Sequence, residues 1–300
     1  MTIHTFDPDP RYVDVTVVGS SNLDLVANVE RLPAPGETVL ASAYAEHAGG
    51  KGLNQAVAAR RAGASTAFVT CLGNDAAGDR LHTLLVDEDV SPYVTDVDGP
   101  TGRALIAVDD SAENQIIVVP GANAHLGLAV VDHHRPILQN SRIVLAQLEI
   151  PLDSVEAAMA IAKAAGARTV LNPAPAVELP RSLVSLCDIV TPNQHEIALL
   201  GGAGALLEAG VQAVVLTLGA RGIRVITRDS EFEVPPFVVR PVDTTGAGDA
   251  ACGALVAALA AGHDLAYAAR RAAAGGALAT TRPGAVPSLP HRRDIDALTG

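Results

Sequence analysis

The run Asp243-Thr244-Thr245-Gly246-Ala247-Gly248-Asp249, leading at once into the apolar stretch Ala250 to Gly262, decides how the chain is read. Small residues around two glycines, placed where a helix must begin, leave backbone N–H groups unpaired and aligned, and the helix dipole adds positive charge there. Such a turn is an anion hole. Asp249 falls in the first helical turn, and Asp243 lies six residues upstream with two hydroxyls between them. Oriented donors for a phosphate, with a carboxylate at hand, are what phosphoryl transfer to a hydroxyl requires. The plainer reading is a glycine turn with an acidic N-cap. Gly246-Ala-Gly248-Asp-Ala-Ala251 also fits the dinucleotide pattern G-x-G-x-x-G/A. That reading fails because Pro241 to Thr245 is too polar for the buried strand the pattern needs, and the segment after the glycines is helical.

Outward from this turn, short β-branched runs alternate with helical patterns. Val15–Val18, Ala67–Thr70, Arg142–Gln147, Thr169–Asn172, Asp188–Thr191 and Ala213–Thr217 read as strands. Asn54–Ala62, Ala76–Asp89, Leu152–Ala165, Asn193–Leu200 and Gly204–Ala209 read as helices between them. This alternation predicts an α/β fold, a mostly parallel sheet covered on both faces, with ligands gathered beyond the strands' carboxyl ends. Two regions break the pattern: Glu37–His47, and Arg103–Asp109 with Gln115–Val119 across the turn Asp109 to Asn114. They predict a small β-sheet acting as a lid, although packing on the main core fits them as well. Both faces of Ala104–Val108 and Ile116–Val119 are apolar, so a second copy's lid is expected to cover the outer one. One domain over 1–300 is expected, with a discontinuous lid from about 23–49 and 100–121.

The bulk properties narrow the function. Of 300 residues, 49% are hydrophobic but only 3% aromatic, so the core must be built from Val, Leu, Ile and Ala. The net charge of −12 argues against a nucleic-acid or anionic-membrane surface, and an anionic ligand must be held by local devices such as helix ends, a lysine or metal ions. Cys71, Cys187 and Cys252 form no C-x-x-C pair, which points to a reduced, cytoplasmic setting. The first fourteen residues, with Asp7, Pro8, Asp9, Pro10 and Arg11, lack the apolar stretch of a signal peptide. The histidines His133, His134, His195 and His263 show no metal-ligand spacing and read as surface residues or caps.

Further polar groups sit at strand ends. Gly19-Ser20-Ser21-Asn22-Leu23-Asp24 places Asn22 and Asp24 on one face, where an amide and a carboxylate can read vicinal hydroxyls; an Asx-type turn is the alternative. Gly49-Gly50-Lys51-Gly52-Leu53-Asn54 precedes a helix but is no Walker A loop, since Gly52 follows the lysine. Its glycines allow a ligand to approach the backbone, and Asn54 either caps the helix or binds hydroxyls. Glu149 ends a strand. Asn193 and Glu196 share a helical face, which suits a hydrated Mg²⁺ or, equally, a capping box. Thr217-Leu218-Gly219-Ala220-Arg221-Gly222 is either a hairpin connection or a turn passing a nucleotide.

Taken together these segments, with Pro35–Thr38, Asn172-Pro-Ala-Pro175 and Thr281-Arg-Pro-Gly-Ala-Val-Pro-Ser288, resemble the ribokinase-like (phosphofructokinase-B-type) carbohydrate kinases in the same order from Val15 to about Leu298. The resemblance implies a three-layer α/β/α fold with a β lid and ATP-dependent phosphorylation of the 5-hydroxyl of D-ribose. It implies that Asp249 is the base, with Gly246, Ala247 and Gly248 as the anion hole. Asn22, Asp24, Gly50, Lys51, Gly52, Asn54 and Glu149 match sugar-contacting positions. Asn193, Thr217, Leu218, Gly219, Ala220, Arg221, Gly222, Gly248 and Ala273 match nucleotide positions, with Mg²⁺ near Asn193 and Glu196. Asp243, Thr245, Ala279, Arg282, Gly284 and Ser288 match positions holding an activating K⁺. Ala273 and Pro283 depart from the family's usual side chains. Another small sugar, a nucleoside, or sugar binding without catalysis are the competing functions; scarce aromatics disfavour a nucleoside base.

Overall fold

The computed structural model describes residues 12–111 and 113–300. The polar N-terminal segment with Asp7 to Arg11, and Ala112 within the turn Asp109 to Asn114, lie outside the described residues.

The chain opens with β1 (Val13–Val18), which runs into β2 (Asn22–Val29) and β3 (Ala41–Gly49). Then come α1 (Lys51–Arg61), β4 (Thr66–Gly73), α2 (Ala76–Asp87), β5 (Ser91–Val97), β6 (Gly102–Val108) and β7 (Asn114–Val119). The middle of the chain supplies α3 (Leu128–His133), α4 (Arg135–Gln139), β8 (Ser141–Ala146), α5 (Leu152–Ala164), β9 (Arg168–Leu171), α6 (Arg181–Leu186) and β10 (Ile189–Val190). The remainder is α7 (Gln194–Leu199), α8 (Gly202–Glu208), β11 (Ala213–Thr217), β12 (Ile223–Thr227), β13 (Glu231–Val234), α9 (Ala247–Ala260), α10 (Leu265–Ala279) and α11 (Arg292–Thr299).

Among the described residues the main sheet has nine strands in the order β13-β12-β11-β10-β9-β8-β1-β4-β5, parallel from β11 to β5, with β12 and β13 antiparallel at one edge. Alternation sends each strand's side chains into two cores. Val15, Val17 and Phe68 join α1, α9 and α10 on one face, while Ala67, Val69 and Val144 join α4, α5 and α6 on the other. The chain leaves β1 towards β4 and β5, then returns to β8 on the other side of β1, so the crevice at the carboxyl ends of β1 and β8 is a topological switch point, where such sheets bind ligands. The apolar run predicted as a buried helix is α9, with Asp249 to Ala260 all buried.

The two irregular regions form a separate four-stranded sheet, β3-β2-β6-β7, in which β2 pairs parallel to β6 and antiparallel to β3. Two details differ from the sequence reading. Residues 22–29 are a full strand, because the polar Asn22 and Asp24 alternate with Leu23 and hid the period. The neighbouring strand begins at Ala41 instead of Glu37, since Glu37 closes the turn at Pro35 and Gly36 and is bonded to Arg31 and the Ala34 N–H. Every residue of β7 is exposed, with Ile116 and Ile117 at 54% and 64%. His134, read as surface, is buried against Thr95 and Tyr93, and burial pushes its imidazole down to about 4. Among the described residues no helix is long and apolar enough to cross a membrane, and Cys71, Cys187 and Cys252 are buried and free.

Candidate active site

Gly246 caps α9 in a left-handed conformation, φ +75°, which a side chain would strain. The turn bonds the Ala247 N–H to the Thr244 carbonyl at 3.2 Å and leaves the N–H groups of Gly246, Gly248 and Asp249 without partners among the described residues. The N–H groups left free at this turn are therefore not the three expected from the sequence: that of Ala247 is engaged by the turn, and that of Asp249 is free. No atom lies within 4 Å of where a Cβ on Gly248 would stand, so an anion can approach there.

Asp249 is buried, 8% exposed. Its Oδ2 accepts from Asn54 Nδ2 at 2.9 Å and its Oδ1 from Gln55 Nε2 at 2.8 Å. Burial lifts its carboxyl above the ordinary range, opposed by the Lys51 ammonium and the two amide donors and assisted by Glu149. An acid so raised is a better proton acceptor when ionised.

The residues matched to sugar-contacting positions come together at the switch point. Asn22 Oδ1 is held by Asn123 Nδ2 at 2.8 Å, which leaves its Nδ2 to donate. Asp24, also on β2, has its carboxyl pushed up to about 7 by burial and by the nearby Glu149 and Asp249 charges. Glu149 Oε2 accepts from Ser20 Oγ at 2.6 Å and from the Lys51 N–H at 3.0 Å. Lys51, at the start of α1, is lowered by burial, but Asp249, Glu149 and Glu196 outweigh that and hold its ammonium above the usual range. Asn54 stands one turn into α1 and caps nothing, because Gly50 is the N-cap. Its buried Oδ1 has no partner among the described residues.

The chain itself lies where side chains on Gly50 and Gly52 would stand. An added Cβ on Gly52 would lie 2.5 Å from Ser20 N, and one on Gly50, at φ +89°, would lie 2.9 Å from Asn22 N. The chain's own turn after β1 fills both approaches.

Of the residues matched to nucleotide positions, Asn193 and Thr217 to Gly222 lie at the ends of β10 and β11. Asn193 and Thr217 form an isolated parallel bridge, and Gly219 to Arg221 make one tight helical turn with Gly219 at φ +59°. Ala220 is exposed, Leu218 is buried, and Arg221 is tied to Gln194. Ala273 packs partly buried on α10. Asn193 and Glu196 form the capping box: Glu196 accepts from Asn193 N–H and Nδ2, both at 2.8 Å. Each Glu196 oxygen accepts one of these bonds and keeps a second lone pair. Among the described residues no cluster of three His, Cys, Asp or Glu side chains could hold a metal.

The segments assigned to K⁺ do meet. Asp243 accepts from Thr245 N–H at 2.9 Å, Thr245 Oγ1 at 2.7 Å and Gly284 N–H at 2.7 Å. Burial alone would raise Asp243, but these donors and nearby His47 outweigh it and hold the carboxylate low. The Thr280 carbonyl accepts from Val242 and Asp243, while the carbonyls of Thr245, Ala279, Arg282 and Gly284 have no partner among the described residues. Ser288 Oγ donates to the Ala285 carbonyl. Carbonyls left without partners on two segments that touch suit a weakly hydrated monovalent cation.

The pfkB family carbohydrate kinase model matches residues 13–292. The chain belongs to the pfkB family of carbohydrate kinases. It is 39% identical over 294 residues to the ribokinase of Haemophilus influenzae, covering 93% of this chain and 96% of that one. It is 43% identical over 264 residues to the bifunctional ribokinase/ribose-5-phosphate isomerase A of Fructilactobacillus sanfranciscensis, covering 82% of this chain but 48%, about half, of the relative's length. The structure of Arabidopsis thaliana ribokinase complexed with ribose and ATP superposes with a TM-score of 0.88 at 31% identity, covering 96% of this chain and 98% of that one.

In this pfkB member, sequence reasoning missed a layer beneath the site. Gln55, Gln147 and Asn172 are buried behind Asp249, and Asn123 reaches across from the segment after β7 to hold Asn22 and the Ser21 N–H. The available signal was Gln55 itself, an amide on a helix face otherwise filled by Leu53, Ala56 and Val57. A polar group at an apolar position needs a buried partner.

Proposed function

We propose that the chain is an ATP-dependent sugar kinase that transfers the γ-phosphoryl group of ATP to the 5-hydroxyl of D-ribose, giving D-ribose 5-phosphate. One observation carries the reading: a buried carboxylate, Asp249, sits in the first turn of a helix whose Gly246, Gly248 and Asp249 N–H groups are free. Asp249 takes the hydroxyl proton as the O5–P bond forms and the bond to the ADP oxygen breaks, and the free amides stabilise charge on the migrating group. Asn22 Nδ2, the Asp24 carboxylate and the unpartnered Asn54 Oδ1 offer donors and acceptors to the ring hydroxyls. The Asn193 and Thr217 to Gly222 loops, with Ala273, would hold the nucleotide. Mg²⁺ would neutralise the phosphate charge near Asn193. K⁺ would be taken by the carbonyls of Thr245, Ala279, Arg282 and Gly284, beside Asp243 and Ser288. The exposed apolar β7 supports a homodimer joined through the lids, and the reduced cysteines support a cytoplasmic setting.

ADP release measured over ribose, 2-deoxyribose, fructose and adenosine tests the substrate. Ribose is expected to have the highest kcat/KM; preference for another member of the panel would overturn the choice. Ribose binding without ADP formation would support a binder in place of an enzyme.

A further inference from the structure

Behind Asp249 lies a chain of buried amides whose direction is fixed. Gln55 and Gln147 are fully buried and Asn172 nearly so. Gln55 Nε2 donates one N–H to Asp249 Oδ1 at 2.8 Å and the other to Asn172 Oδ1 at 2.9 Å. Gln147 Nε2 donates to Gln55 Oε1 at 2.6 Å, and Asn172 Nδ2 donates to the Thr191 carbonyl at 2.9 Å. An ionised carboxylate only accepts, so Gln55 must face it with nitrogen; its oxygen then faces Gln147, which must donate in turn. Gln147 Oε1 is left over with no partner among the described residues, pressed so close to Gly19 that a Cβ there would lie 2.1 Å away. A buried acceptor is left unsatisfied while Nε2 points to Gln55, so the contact to Gln55 sets the rotamer.

The two oxygens of Asp249 are therefore not equivalent. Oδ1 is anchored from within the core, whereas Oδ2 is bonded to Asn54, whose own Oδ1 is free. We infer that Gln55, oriented by Gln147, is the positioning residue of the catalytic base: it anchors Oδ1 of Asp249 so that Oδ2 receives the proton of the sugar hydroxyl. The inference rests on Asp249 being the base. Its surroundings bear on the test: Lys51 from α1 is the facing cation, Glu149, Asp24 and Glu196 are the facing acids from the other packed elements, and Cys252 is the facing thiol on α9 itself.

The experiment measures kcat, KM for both substrates and the pH profile of kcat/KM for Gln55→Met, Gln55→Glu, Gln147→Met and Asp249→Asn. Losing a donor to an ionised carboxylate favours the protonated base, so the acid limb is expected to move up by about one unit in Gln55→Met, and further in Gln55→Glu, where a second acid faces the first. Gln147→Met, one step removed, frees the Gln55 amide to turn over and is expected to shift the limb in the same direction; it also serves should either Gln55 variant fail to fold. KM for ATP is expected to stay within a few-fold throughout. A folded Gln55 or Gln147 variant that loses rate equally at every pH, with the limb unmoved, assigns these amides to packing and overturns the inference. Near-normal turnover in Asp249→Asn removes the base assignment itself, a separate failure that the other variants do not produce.

Discussion

Gly49 and Asp24 lie against each other across β2 and β3: a Cβ added to Gly49 would stand 2.1 Å from Asp24 Oδ2 and 2.5 Å from its Cγ. The backbone of Gly49 has no left-handed strain, so what excludes a side chain is the carboxylate alone. Gly49→Ala must rotate Asp24 away from the crevice. KM for the sugar is expected to rise about tenfold, the effect of one lost hydrogen bond to a charged group, with KM for ATP unchanged. Isothermal titration with each ligand separately checks this, and equal losses for both would refute it.

Asp24 also predicts a pH dependence. Its folded value of about 7 lies above that of an exposed aspartate, so the protonated form predominates in the folded protein below it. The folded state then binds the extra proton, and the group's contribution to stability is present below the unfolded value and lost as pH rises through about 7. Sugar binding runs the other way, because the ionised carboxylate accepts from two hydroxyls. KM for the sugar is expected to fall between pH 6 and 8, roughly the window around neutrality in which such a group titrates, and Asp24→Asn to flatten the dependence. A wild-type KM that is flat across that range would remove Asp24 from sugar recognition.

General-base removal sets the scale for catalysis. Asp249→Asn keeps the side chain's shape and cannot take a proton, so kcat is expected to drop by about 10²- to 10⁴-fold with ATP affinity within a few-fold. Rapid-quench and steady-state ADP release measure it.

The cation loop is tested by replacing K⁺ with tetramethylammonium, which is too large for a cradle of carbonyls. The rate is expected to fall, and Asp243→Ala, which unties Thr245 and Gly284, is expected to raise the K⁺ concentration for half-maximal activity. Equal rates in both salts would dismiss K⁺ activation.

The lid sheet leaves Ile116, Ile117, Val118 and Val119 exposed. Ile117→Glu is expected to convert a dimer to a monomer in sedimentation velocity, since a charge buried in such an interface is strongly unfavourable. A wild-type chain that sediments as a monomer at micromolar concentration would exclude the lid-to-lid contact.

Much of the architecture was legible because its signals are local. Val15 to Val18 and Ala213 to Thr217 are β-branched runs that fit no helix, and the anion-hole turn needs nothing beyond Gly246, Gly248 and the helix after them. The segment 22–29 was harder, since Asn22 and Asp24 carry polar chemistry on what is also a strand. For Gly50, Gly52 and Asn54 the sequence stopped short of a partner: a glycine reports that something comes close, and a side chain that it can bond, but neither names the neighbour.

The parallel α/β architecture and the glycine turn that opens α9 with Asp249 in its first turn were written in the order of residues, because each arises from periodicity and backbone geometry over a few neighbours. Packing in three dimensions settled the rest: which amides are free, which oxygen of Asp249 is anchored, and that Gln55, Gln147 and Asn172 stand behind it. Those bonds join residues 92 to 194 positions apart, and partners so distant are chosen by how helices and strands pack, which no local pattern encodes.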